Sequence, residues 1–251
     1  MTTTSPPFEW SLTDMIPDLK EFDPPHQATL SKYHFNGELY VIKFYDSEPP
    51  TQREIRFLEA AANISVEVKG YVRNQKRAVI GFAMPFLDKI EPSRLTLDEK
   101  VGIFRQIREL IPRLHDRHKI IHGDITLSNM LLDRGVVKLC DYGCAAWMSE
   151  TKYPTAFSMR WCSPYRLGSN PDINPRRLIP EEDIYASAIT VWELFVAENP
   201  YGPYVSQDDE FQLWDKIVEG LTVDVDRIEQ EDARRYVEEC LRIKECDNTD
   251  R

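Results

Sequence analysis

No stretch of this 251-residue chain is apolar for long enough to span a bilayer; the longest, residues 184–197, is too short and is interrupted by Glu193. Basic residues are in the minority, with 31 Lys and Arg against 42 Asp and Glu and a net charge of −11. That balance argues against broad binding to nucleic acid or to an anionic membrane, since both need a cationic surface to neutralise phosphates. It leaves room for a local basic patch that grips one nucleotide. Cysteine is sparse and unpatterned: Cys140, Cys144, Cys162, Cys240 and Cys246 are odd in number and show no repeated spacing. Free thiols in a reducing compartment are therefore expected. Cys140 and Cys144 are near neighbours without a second Cys/His pair, so no zinc set is expected. The opening MTTTSPPFEW has neither the basic nor the apolar region of a signal peptide. An intracellular protein, cytoplasmic or nuclear, is the expectation.

Apolar residues make up 42% and charged residues 29%, enough to build a core over most of the length. At this length the chain is one large domain or two small ones. Residues 1–26 hold five prolines (Pro6, Pro7, Pro17, Pro24, Pro25) and read as a loose leader. From residue 27 two β-prone runs meet at Asn36-Gly37, a pair that tolerates the positive φ of a tight hairpin. A short helix is expected after Pro50, with Ile55, Leu58, Ala61 and Ala62 on one stripe. Two more strands, VEVKGYVRN and RAVIGFAM, follow across a turn at residues 74–76. The first third is thus a small antiparallel sheet with one helix.

Beyond residue 95 the period changes. Val101, Phe104, Ile107, Ile111 and Leu114 recur at helical spacing, with Pro112 expected to kink the helix. MLL and VVKL flank Asp133-Arg134-Gly135 as a small hairpin. Residues 184–197 read as a helix buried on all sides, and FQLWDKIVEG and DARRYVEECLRI as amphipathic helices. The reading is an α+β protein. It has a small β-rich N-lobe (27–86), a hinge (85–92) and a larger helical C-lobe (93–251), the two lobes lying around one cleft.

The sharpest chemical signal is His122-Gly123-Asp124, with Asn129 five residues after Asp124 and a second acid, Asp141, in Asp-Tyr-Gly beyond the hairpin. Mg²⁺ takes a few hard oxygen ligands and completes its shell with water and phosphate. Asn129 and Asp141 can supply two such oxygens, which leaves Asp124 to accept a hydroxyl proton. Each motif alone is equally well explained as a turn with capping Asp and Asn residues.

Taken in order, the motifs resemble the eukaryotic protein-kinase domain over roughly residues 27–245. ELYVIK resembles the family's V-A-I-K strand, REIRFLEAA its first-lobe helix, FAMPFL the strand entering the hinge, SMRWCSPYRL the A-P-E end of the activation segment, and DIYASAITVWELF the buried D-x-W-S-x-G helix. The resemblance implies ATP and Mg²⁺ as cofactors and a protein as substrate, with no nucleic-acid or membrane partner. Lys43 would hold the α- and β-phosphates and Glu54 would hold Lys43. Asp141 and Asn129 would bind the metal, and Asp124 would act as catalytic base. Val41 would cover the adenine and Leu131 would floor it. Met84 would be the gatekeeper, and main-chain groups from Pro85 to Leu87 would meet the adenine edge. His122, Tyr142 and Leu58 would stack in a column between the lobes, anchored by Asp183.

The departures are equally specific. Where the family has a Gly-rich loop this chain has KEFDPPHQ, and Pro24-Pro25 offers neither glycine's freedom nor a donor for phosphate. The H-R-D arginine is Gly123, the lysine two residues after the catalytic Asp is Thr126, and the A-P-E glutamate is Tyr165, whose ion-pair partner has no secure counterpart. Three readings follow: a protein kinase with serine/threonine as the expected specificity, a pseudokinase serving as a scaffold, and a small-molecule kinase of the aminoglycoside or choline type.

Overall fold

The Asn36-Gly37 turn organises the first sheet. Both residues take positive φ, 50° and 80°, which suits the twist of a two-residue hairpin. The hairpin joins β2 (Thr29–Phe35) to β3 (Glu38–Phe44). The computed structural model describes residues 8–11, 29–45, 48–150, 157–168, 178–202 and 207–242. The KEFDPPHQ stretch, with Pro24 and Pro25, lies outside the described residues.

Strand β5 (Val79–Pro85) runs antiparallel to β3, setting Val41 opposite Met84 and Lys43 opposite Phe82. Strand β4 (Gly70–Arg73) lies on the other side of β5, and β1 (Phe8–Ser11) pairs with β4 in parallel, giving the order β1-β4-β5-β3-β2. The first strand falls inside the stretch read as a loose leader. Four residues carry too little alternation to announce a strand, and the pairing comes from the open edge of β4. One face of the sheet packs Tyr40, Ile42 and Phe44 against Val72, Ile80 and Ala83.

The helix Glu48–Ala60 begins three residues before its expected start, because Pro49 and Pro50 sit in its first turn, where a missing N–H removes no helical bond. It buries Glu54, Ile55, Phe57 and Leu58. Val66, read as the start of a strand, makes a different pairing, while Lys69 N–H already donates to the Ala83 carbonyl of β5 at 2.8 Å. Val66 N–H donates to the Leu139 carbonyl at 2.8 Å, and Leu139 N–H donates to the Ile64 carbonyl at 2.9 Å. This pairing explains why residues 138–143, counted with the C-terminal part in the sequence reading, belong to the first of two compact units. That unit comprises residues 1–88 and 138–143, and the second comprises residues 89–137 and 144–251.

In the second unit, Thr96 opens the helix Leu97–His118 with a capping box: its hydroxyl accepts from Glu99 N–H and Glu99 accepts from Thr96 N–H. The helix runs through Pro112 without a break and buries Phe104, Ile107, Ile111 and Leu114. Met130–Asp133 and Val136–Leu139 form the expected hairpin, turned at Arg134-Gly135 with both φ positive. The helix Pro180–Val196 is buried over most of its surface and packs on Leu97–His118 and on Glu231–Cys240. Trp192 ties it to the loop beyond by donating to the Asp224 carbonyl at 2.7 Å. Phe104 meets Phe195 and Tyr236 edge-on in the same core. The fold is α+β, with a β-sheet N-terminal region and a helical C-terminal region.

Candidate active site

In the first unit, period-2 alternation sends Ile42 and Phe44 into the sheet's core and Lys43 to the opposite face. There the Lys43 ammonium donates to Glu54 Oε1 at 3.0 Å and lies 3.0 Å from Oε2. It also donates to Asp141 Oδ1 at 2.7 Å. The Lys43 and Glu54 side chains are 5% and 2% exposed, whereas Asp141 is 47% exposed. Burial pulls the Lys43 pKa down, but Glu54 and Asp141 outweigh it and hold the ammonium above its ordinary range. Burial pushes the Glu54 carboxyl up, opposed chiefly by Lys43. Tyr142 N–H also donates to Glu54 Oε1, and the Tyr45 hydroxyl donates to Oε2, so both oxygens carry the bonds of a carboxylate. Asp141 takes a left-handed φ of 57°, and Gly143 N–H donates to its Oδ1 at 3.2 Å. The Tyr142 ring is stacked on Phe57, and its hydroxyl meets Ser65 at 2.5 Å.

In the second unit, Asp124 and Asn129 sit together. Asn129 Nδ2 donates to the Asp124 carbonyl at 2.9 Å and to Oδ2 at 2.7 Å. Ser158 N–H donates to the other carboxylate oxygen at 3.3 Å. Beneath them, Asp183 Oδ2 accepts from His122 N–H at 2.7 Å and Oδ1 from Gly123 N–H at 2.8 Å; His115 Nε2 meets Oδ2 at 2.8 Å. Gly123 has φ 76°, and a Cβ there would stand 2.5 Å from the Cys144 carbonyl oxygen and 3.0 Å from Leu178 Cδ2. Both backbone conformation and space call for glycine at this position.

Residues 35–247 match the family described as the protein kinase domain. The chain belongs to the protein kinase domain family. Among curated proteins it is similar to serine/threonine-protein kinase KIC1 of Saccharomyces cerevisiae, at 29% identity over 66% of this chain and 16% of that one. It is similar to the dual specificity mitogen-activated protein kinase kinase mek-1 of Caenorhabditis elegans, at 31% identity over 60% of this chain and 41% of the relative. A putative mitogen-activated protein kinase kinase kinase 7-like protein of Drosophila melanogaster is 25% identical over 86% of this chain and 58% of its own. The chain therefore spans between about a sixth and three fifths of the length of these relatives.

For this kinase domain, then, the structure brings Lys43, Glu54 and Asp141 together, and separately Asp124 and Asn129. Val41 and Met84 face each other across β3 and β5, with Met84 buried. Leu87 and Leu131 are half-buried, each in its own unit. Among the described residues no three His, Cys, Asp or Glu side chains gather into a metal cluster. A Mg²⁺ that relies on phosphates and water needs only one or two protein oxygens, and within the first unit the half-exposed Asp141 carboxylate fits that demand. No described helix is long and apolar enough to cross a membrane.

Sequence reasoning missed Tyr45, Ser158 and His115. Tyr45 had a signal, since it lies two residues from Lys43 on the same face of the chain. Ser158 acts through its backbone N–H, which no residue type announces. Arg160, the cation that could have stood in for the missing H-R-D arginine, donates to the Pro200 and Tyr201 carbonyls at 3.0 and 3.1 Å. Residues 151–156 of the activation segment lie outside the described residues.

Proposed function

We propose that this chain transfers the γ-phosphate of ATP to a protein hydroxyl, serine or threonine being the expected acceptor. The observation that carries this reading is the Lys43 ammonium held on Glu54 and Asp141, two of its three charges buried. A lysine fixed in that way is a positioned cation for phosphate oxygens. Val41, Met84, Leu87 and Leu131 contact the adenine. Asp141 and Asn129 are the metal ligands; the ion, when bound, offsets phosphate charge. Asp124 receives the proton of the acceptor hydroxyl. Asn129 and Ser158 hold its two oxygens and so restrict its orientation, which is what an in-place base requires.

One finding favours the scaffold reading. Gly123 has no room for the arginine that the family uses to grip a phosphorylated activation segment, and Arg160 is engaged elsewhere. Control by phosphorylation within the activation segment is therefore not expected.

The test is transfer from labelled ATP with Mg²⁺ to a basic protein substrate, with the melting shift measured in parallel. Wild type transfers phosphate, and Asp124→Asn loses about 10²–10⁴-fold in rate. The ATP-induced stabilisation, about 2.7 kcal/mol at a hundred times the dissociation constant, is retained in that variant. A wild type that binds Mg-ATP and never transfers is a pseudokinase.

A further inference from the structure

The family's A-P-E glutamate is Tyr165 here, yet a buried carboxylate serves the same stretch of chain from the other side. Glu182, in the first turn of the helix Pro180–Val196, is 5% exposed. Its Oε1 accepts from the Ser163 hydroxyl at 2.6 Å and its Oε2 from Ser163 N–H at 3.3 Å. Ser163 is fully buried, and its hydroxyl oxygen accepts from Arg166 N–H at 3.1 Å, capping the short helix Pro164–Leu167. Arg166 is buried as well, over the Phe157 ring, and its charge favours the Glu182 carboxylate. Burial nonetheless pushes Glu182 up to about 7, so placing this acid here is costly. A less buried acid such as the neighbouring Glu181 would satisfy the helix N-terminus at a lower cost.

The bonds continue toward the reacting group. Cys162 Sγ lies 3.7 Å from the Ser158 carbonyl, and Ser158 N–H reaches Asp124 Oδ1 at 3.3 Å. Asp124, Ser158, Trp161, Cys162, Arg166 and Glu182 line one hollow. We infer that Glu182 is a positioning residue: through Ser163 it anchors residues 157–168 against the helix Pro180–Val196, and so sets the backbone that holds Asp124 and receives the protein substrate. The anchoring stands on geometry alone, and its catalytic consequence rests on the proposed kinase activity.

The experiment compares the full chain with Glu182→Ala, Glu182→Gln, Ser163→Ala and the double variant Glu182→Ala/Ser163→Ala. Amide exchange is followed for peptides covering residues 157–168, with residues 97–118 as internal control. Glu182→Ala lowers protection of 157–168 about tenfold, the loss expected for hydrogen bonds to a charged group. Glu182→Gln, which keeps one acceptor, recovers part of it. The double variant loses no more than the worse single one, since both act through the same bonds. Residues 97–118 keep wild-type protection. In phosphotransfer assays Glu182→Ala raises KM for the protein substrate severalfold while KM for ATP is unchanged. Should Glu182→Ala not fold, Ser163→Ala, which removes no charge, carries the same exchange prediction. Wild-type exchange of 157–168 in Ser163→Ala and Glu182→Gln overturns the anchor, as does an equal loss of protection in 97–118. A wild type without phosphotransfer removes the kinase reading and leaves the exchange result to decide the anchor.

Discussion

Glu54 and Asp183 are carboxylates buried to the same degree, each about 1% exposed, and they are held in opposite ways. In the first unit Glu54 is balanced by a cation: Lys43 reaches both its oxygens, and the same ammonium reaches Asp141. In the second unit Asp183 is held by the backbone N–H groups of His122 and Gly123, with His115 as the side-chain partner. The difference teaches what each site is for. An ion pair can be exchanged: under the proposed function Lys43 would swap a carboxylate for a phosphate oxygen as a ligand enters. Backbone N–H groups have no other acceptor to turn to, so Asp183 fixes the loop permanently.

The largest effect follows from removing Asp183. Asp183→Ala leaves one buried and one part-buried N–H group without an acceptor and lowers stability by about 3–5 kcal/mol, measured by denaturant unfolding. Asp183→Asn recovers only part of this, since one amide oxygen replaces two acceptors. Equal losses for the two variants would mean that charge, not hydrogen bonding, holds the loop.

Lys43→Met comes next, at about 3 kcal/mol, because Glu54 is left buried without its cation. The same variant shrinks the ATP-induced melting shift. An unchanged shift would remove Lys43 from the phosphate site and break the contrast between an exchangeable and a permanent anchor.

Gly123→Ala sharpens the account of the permanent loop. A left-handed φ costs a non-glycine residue about 1–2 kcal/mol, and the Cys144 carbonyl at 2.5 Å from the new Cβ adds to that. Gly135→Ala, with φ 83° and nothing within 4 Å of the new Cβ, pays the backbone cost alone. Thermal unfolding therefore ranks Gly123→Ala below Gly135→Ala, and the reverse order would refute the steric argument.

The smallest effect concerns a carboxylate with one buried oxygen that has neither kind of partner among the described residues. Burial alone pushes Glu193 up to about 7 from its ordinary 4.5, and its Oε2 has no hydrogen-bond partner among the described residues. The folded chain thus holds this proton more tightly than the unfolded chain. The resulting stability is fully present below pH 4.5 and is lost as pH rises through about 7. Glu193→Gln should match wild type at pH 4 and melt a few degrees higher at pH 8. A lower melting temperature for the variant at pH 8 would reveal a cation partner for Glu193.

Much of the fold could be read from local rules. Asn36-Gly37 and Arg134-Gly135 announced their hairpins, and the spacing of Phe104, Ile107, Ile111 and Leu114 announced a helix, because turn chemistry and periodicity act over a few residues. Pro112 lies inside that helix, since neighbouring turns and packing sustain a helix through one lost bond. Strand β1 could not be read, because a four-residue parallel strand is specified by the edge it joins. The pairing of Val66 with Leu139 was likewise invisible, being a bond between residues 73 positions apart.

The residues of the site divide along the same line. Lys43, Glu54, Asp124, Asn129 and Asp141 stood out because charged and amide side chains at fixed offsets are visible in one dimension. Tertiary structure decided how each is held: that Lys43 engages two carboxylates at once, that Ser158 serves through its backbone, that Gly123 is required by the Cys144 carbonyl, and that Glu182 is buried on Ser163. Sequence determines which groups are available and how nearby residues share a face. Only the folded chain decides which of them lose their water, and most groups that have lost their water find a partner within about 3 Å.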